Sequence, residues 1–191
     1  MKRLRHKFRK QLRAASPPLE HLKFIDECGA HLGMTRLFGR AAPGERVVEA
    51  TAGYSGTHYT IVATLGLQGI TAPWLFEGAM NRTAFETYVG HVLAPTLRPG
   101  DLVLIDNLSA HKGDPIGKLI EACGAQVYFL PPYSPDLNPI ELCWAKAKTV
   151  LRSAKARTFD ALVDALCEAL GAINPADARA WFAHCGYTVN P

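Results

Sequence analysis

The stretch Asp101-Leu-Val-Leu-Ile-Asp-Asn107 constrains the fold more than any other. Four apolar residues in a row, without polar alternation and closed by a polar pair, are what a strand covered on both faces looks like. Such strands belong to parallel sheets, because their crossover connections lay helices over both faces. The residues C-terminal to it fit that frame: a helix over Pro115 to Cys123, a short strand "AQVYFL", and a long helix from Pro139 to Lys155. This β-α-β-α alternation predicts an α/β sheet with right-handed crossovers. Two more helical stretches, Phe159 to Leu170 and Pro175 to Cys185, close the chain.

Upstream the pattern is β-rich. Residues 22 to 28 read as a buried strand, and further strands are predicted around Arg46 to Thr51 and Thr57 to Leu65, separated by the turn-prone "AGYSG". Together these suggest a three-stranded meander. A helix over Thr83 to Leu97 comes next, with Asn81 as its cap and Pro99-Gly100 as its stop. The expected architecture is therefore α/β, a mixed sheet of a three-stranded antiparallel meander plus two parallel strands, flanked by helices.

At 191 residues, about half of them apolar, the chain has length for one sizeable core and its appendages. It has no stretch of the roughly 18 uncharged apolar residues that a membrane span needs, and its basic N-terminus lacks the apolar core of a secretory signal. The expectation is a cytoplasmic protein without a membrane partner. Five cysteines, Cys28, Cys123, Cys143, Cys167 and Cys185, are scattered without a C-x-x-C pair, so they indicate neither a disulfide framework nor a zinc site. Charge is segregated. Lys2, Arg3, Arg5, Lys7, Arg9, Lys10 and Arg13 are seven of the 21 Lys and Arg residues, and the remaining 14 face 17 acids. A polyanion partner is thus suggested by residues 1 to 18, a basic tail set off by Ser16-Pro17-Pro18, with the folded domain over residues 19 to 191. A solvated arm that aids solubility is the plainer alternative.

Three carboxylates stand out. Asp26 is placed at or near the end of the first strand and Asp106 at the carboxyl end of the central one, where open α/β sheets form their crevices. Period 2 puts Leu22, Phe24 and Asp26 on one face, and Leu102, Leu104 and Asp106 likewise. If the two strands are neighbours the carboxylates converge, and a divalent cation is the usual relief for their repulsion. Glu141 is the third. It is preceded by "LPPYSPDLNPI", in which Pro131, Pro132, Pro135 and Pro139 each fix φ and lower the entropy lost in holding the first helical turn. The local alternative is a capping box, with Asn138 as N-cap and Glu141 reaching back to its backbone. On the same helix Ile140, Cys143, Trp144, Ala147, Val150 and Leu151 form an apolar stripe, and Lys148 and Arg152 share an edge with Glu141. That edge suits a phosphate backbone, or is a solvated rim.

The segments "FIDECG", "LIDNLSAH" and "LPPYSPDLNPIELCW" resemble the catalytic domain of DDE transposases of bacterial insertion sequences related to the mariner superfamily. Thirty-four residues separate Asp106 from Glu141, a spacing typical of that superfamily. The resemblance covers about residues 20 to 185 and implies a ribonuclease H-like fold. It also implies that Asp26, Asp106 and Glu141 ligate two Mg²⁺ ions, with Mn²⁺ as a substitute, for in-line phosphoryl displacement on DNA. The implied outcome is strand cleavage at transposon ends and joining of the freed 3′ ends to target DNA, usually at a TA dinucleotide, by a homodimer.

Asn107 and His111 match the family pattern "DN…H", and His111 is also readable as a loop contact. Tyr133 and Ser134 are candidate DNA contacts or turn packing, Arg3, Arg5, Lys7, Arg9 and Lys10 are candidate contacts from the tail, and Glu27 is expected to be structural, on the opposite face from Asp26. Full-length members carry helix-turn-helix modules of roughly 50 residues or more each ahead of the catalytic domain. None is expected within this chain, so a helix-turn-helix partner is expected, fused or associated, in a bacterial, nucleoid-associated setting. Two other readings share the residues: a ribonuclease H-like nuclease for hybrids or junctions, and an inactive remnant that binds DNA or regulates a full-length partner.

Overall fold

The computed structural model describes residues 2–53, 56–107 and 114–188. Its frame is one sheet of five strands in the order β3-β2-β1-β4-β5. Strands β1 (Leu22–His31), β2 (His58–Gly66) and β3 (Gly69–Glu77) form the antiparallel meander, while β4 (Leu102–Ile105) and β5 (Gln126–Phe129) run parallel to β1. The mixed sheet expected from the sequence is present, with one exchange among its strands. Residues 46–51 are exposed and carry no strand, and the third meander strand is β3. Val47 and Val48 have strand propensity, but at 48% and 84% exposure they pack against nothing that would realise it. Pro73 disguises β3 in the sequence; it is tolerated because β3 lies at the sheet edge.

The two faces of the sheet bury different layers. Phe24, Cys28, Ile61, Leu102 and Leu104 pack beneath α4 (Ile140–Ala154), α5 (Phe159–Gly171) and α6 (Pro175–His184). On the other face, Ile25, Val62, Val103 and Ile105 meet α2 (Arg82–Tyr88) and α3 (Asp114–Glu121). The helix predicted over Thr83 to Leu97 is therefore α2 prolonged by a π-turn (Val89–Leu93) and a 3-10 turn (Ala94–Thr96), and Asn81 caps it by accepting from the Ala84 N–H at 3.0 Å. Asp101 is buried at the base of β4, where it bonds His21 Nδ1 at 3.0 Å and accepts from the Arg98 N–H at 3.0 Å.

The N-terminal segment differs most from its sequence reading. Lys2–Ala15 is a helix, α1, and its Phe8 is only 4% exposed within the core layer under α4 to α6. The packed body thus includes residues ahead of Leu19. Leu4, Phe8 and Leu12 recur every four residues, a weak apolar stripe that a count of basic residues obscures. No helix among the described residues is long and apolar enough to cross a membrane. Cys28, Cys143 and Cys185 are buried and all five cysteines are free.

Candidate active site

Asp26 and Asp106 meet because of the β1–β4 register. The parallel ladder runs from Leu22 opposite Leu102 to Ile25 opposite Ile105, and the next residue on each strand is an aspartate. Asp26 is therefore midway along the ten-residue β1, where the sequence placed it at or near the strand's end; it stands just past the ladder with β4. Period 2 places it between Phe24 and Cys28 on the face covered by α4. Glu27 points the other way, and its charge is felt by Tyr88 of α2.

Glu141 reaches the same place from above, in the first turn of α4. The segment leading to it is tightly tied. The Leu137 N–H donates to the Ser134 carbonyl (3.0 Å), the Asn138 N–H to the Pro135 carbonyl (2.9 Å), and the Tyr187 hydroxyl to the Leu137 carbonyl (2.7 Å). The capping alternative does not survive this arrangement. Asn138 N–H is already used, the cap position falls on Pro139 without a side-chain bond, and Asn138 Oδ1 caps nothing. The Glu141 side chain is exposed toward a cleft of about 480 Å³ lined by Asp26, Asp106, Asn107, Tyr133, Asn138 and Glu141 itself, with prolines of the leader forming a wall.

The cleft strains its own charges. Burial, with Glu141 as the next cause and Glu27 and Asp106 adding to it, pushes the Asp26 carboxyl up to about 8, despite an opposing bond from the Glu27 N–H at 2.9 Å. Carboxylates that resist ionising together are a setting that a divalent cation relieves. All the acidic donors are hard oxygens, which suits Mg²⁺ or Mn²⁺ over softer ions. Among the described residues, no group of three or more His, Cys, Asp or Glu side chains is drawn into a ready-made metal cluster.

The other candidates are distributed unevenly. Asn107 lines the cleft, whereas His111 lies outside the described residues. Tyr133 projects at the rim, 88% exposed and with φ of 52°, a left-handed conformation that bulky residues seldom adopt. Ser134 is buried, and its hydroxyl donates to the Pro132 carbonyl at 3.3 Å, which is turn packing. Lys148 and Arg152 are half-buried outside the cleft lining, near enough to Cys28 on β1 to favour its thiolate, although burial dominates and raises that thiol. In α1, Arg5 forms a paired contact with both oxygens of Asp136, holding that carboxyl below the usual range, while Arg3, Lys7, Arg9 and Lys10 are exposed.

Comparison with solved structures gives the same fold. The chain is similar to the Mos1 transposase paired-end complex with left transposon end, at 15% identity over 96% of this chain and 58% of that one, with a TM-score of 0.77. It is likewise similar to the Mos1 strand transfer complex, at 17% identity over 97% of this chain and 58% of that one, TM-score 0.75. Against the catalytic domain of Mos1 mariner transposase the identity is 15%, the coverage 99% and 93%, and the TM-score 0.63. The chain thus spans 58% of the longer Mos1 chains and nearly all of their catalytic domain, and its sheet with flanking helices is the ribonuclease H-like fold of a transposase catalytic domain. No curated protein matches its sequence. The model for the DDE superfamily endonuclease matches residues 21–163, and the chain belongs to that family.

Proposed function

We propose that this chain is the catalytic domain of a DDE transposase of a mariner-related bacterial insertion sequence, cutting DNA strands at the element's ends and joining the freed 3′ ends to target DNA. The observation that carries this reading is that Asp26, Asp106 and Glu141, remote in sequence, line one cleft, and that Asp26 feels the charge of both others. Mg²⁺, or Mn²⁺ in its place, would be held by these three side chains. When bound, two such ions stabilise charge on the attacking and leaving oxygens of an in-line displacement.

The remaining contributions come from the protein. Asp26 and Asp106 follow directly on the last pair of the β1–β4 ladder and Glu141 on the tied leader, so their backbones are held while the side chains close on an ion. Lys148 and Arg152, beside the cleft on α4, offer positive charge to a phosphate backbone, and the exposed cations of α1 add a sequence-independent attraction. Asn107 and Tyr133 face the DNA path from the cleft wall and rim. Recognition of the ends is assigned to a helix-turn-helix partner, fused or associated, acting in a homodimer on target TA sites. The Mos1 complexes contain DNA ends and, in other Mos1 structures, Mg or Mn, which supports this reading.

The test is incubation of the protein, with and without such a partner, with duplexes carrying the element's ends and with an RNA–DNA hybrid, in Mg²⁺. Nicking and strand transfer on the DNA ends are expected. Preferential cutting of the hybrid would replace the proposal with a ribonuclease H-like nuclease, and inertness toward both, with DNA binding retained, would make the chain a regulatory remnant.

A further inference from the structure

Asn138 has a side chain that its surroundings do not explain. It is 3% exposed, it lines the cleft three residues before Glu141, and its Oδ1 accepts no hydrogen bond among the described residues. A buried acceptor left unmatched costs about 1–3 kcal/mol. The usual use for an asparagine at a helix entry is to cap it, and here that use is foregone, since α4 begins without a side-chain cap. The backbone on either side is fully engaged, with Asn138 N–H donating to Pro135 and Glu141 N–H donating to the Asn138 carbonyl at 3.2 Å. The side chain is thus held still, buried, and placed in the lining of a cleft that also holds three carboxylates. Carboxylates supply no donor when ionised. Among the described residues, none of the cleft's own O–H or N–H groups bonds Oδ1, so a partner for it that enters the cleft must carry such a donor.

We infer that Asn138 is a positioning residue for the divalent cation, its amide oxygen accepting a hydrogen bond from the ion's hydration shell on the Glu141 side of the cleft. Small hard cations shed water reluctantly and keep several waters when bound by a few carboxylates, so an acceptor just beyond the ligands has a donor to meet. Outer partners of this kind are worth about 10–100-fold in metal affinity. The inference rests on the cleft being a metal site, and it explains why a neutral amide, and not a fourth carboxylate, sits there: it takes a hydrogen bond from bound water without adding to the repulsion already felt by Asp26.

The test uses the whole chain and Mn²⁺ alone, with binding read by electron paramagnetic resonance and stability by thermal unfolding without metal. Asn138→Leu, close in volume, should weaken Mn²⁺ binding by about 10–100-fold while leaving metal-free stability unchanged or raised, because an orphaned acceptor is removed. Asn138→Asp, which keeps an acceptor, should retain binding. A purely structural asparagine gives the reverse for Asn138→Leu, lowered stability with unaltered Mn²⁺ affinity, and that result overturns the inference. Asp26→Asn separates the two levels. If it abolishes binding while Asn138→Leu does not weaken it, the inference fails and the metal site stands; if wild-type protein binds no Mn²⁺, both fall.

Discussion

The leader into α4 and the connection from β1 to β2 are both irregular, yet they behave oppositely. In the leader, Leu130, Pro131, Ser134, Leu137, Asn138 and Pro139 are buried, and its carbonyls are claimed by neighbours in sequence and by Tyr187 from the far end of the chain. In the connection, residues 36–53 are all exposed, and its links to the body are sparse, notably Arg157 donating to the Leu32 and Met34 carbonyls and Lys155 paired with Glu49. What separates them is burial and bonding to remote segments, which turn an irregular path into a fixed one. A fixed path is what the leader's cargo, Glu141, requires if it is to meet two aspartates carried by the sheet.

The contrast is most vulnerable at the carboxylates. Asp26→Asn, Asp106→Asn and Glu141→Gln should each lower metal-dependent strand cleavage by roughly 10³-fold or more with the fold retained by circular dichroism. Were Glu141→Gln fully active and only less stable, the leader would be reduced to an ordinary helix entry.

The pH response comes next. The folded Asp26 carboxyl titrates near 8, above its ordinary 3.8, so folding favours the protonated form. In the metal-free protein this group's contribution to stability should be greatest below about pH 4 and decline as pH rises toward 8. Cation binding must displace that proton, so Mn²⁺ affinity should increase with pH by up to about tenfold per unit until near 8 and then level off. A flat profile over that window would show that Asp26 is already ionised.

Packing separates the two regions at lower magnitude. Leu137→Ala, in the buried leader, should cost about 2–5 kcal/mol in denaturant unfolding, and Tyr187→Phe, which strands the Leu137 carbonyl, about 1–3 kcal/mol. In the connection, Phe38→Ala at an 88% exposed position should stay within about 0.5 kcal/mol. Equal losses in both regions would mean that the connection is packed as firmly as the leader.

Much of this was legible in the sequence. Strand β4 announced itself by four unbroken apolar residues, and α5 and α6 begin at Phe159 and Pro175, as expected. Asp106 and Glu141 stood out because a strand end and a helix start are local features, and that two aspartates fall next after a shared ladder is a matter of register. What escaped depended mostly on distant partners. The β3 edge position that excuses Pro73 and the body that α1 lies against are set by segments far away in the chain, while Asn138 loses its capping role to a local turn in which its N–H donates to the Pro135 carbonyl. Arg46 to Thr51 shows the converse, propensity without a neighbouring strand to complete it.

The contact between Arg5 and Asp136 has an electrostatic consequence. Asp136 is the one acid in the leader, five positions from Glu141, and its charge is offset by a cation supplied from the opposite end of the sequence. An approaching polyanion therefore meets a less repulsive mouth than the acids alone would present, and because the offset is a contact pair it should outlast, as ionic strength rises, the long-range attraction of the exposed α1 cations.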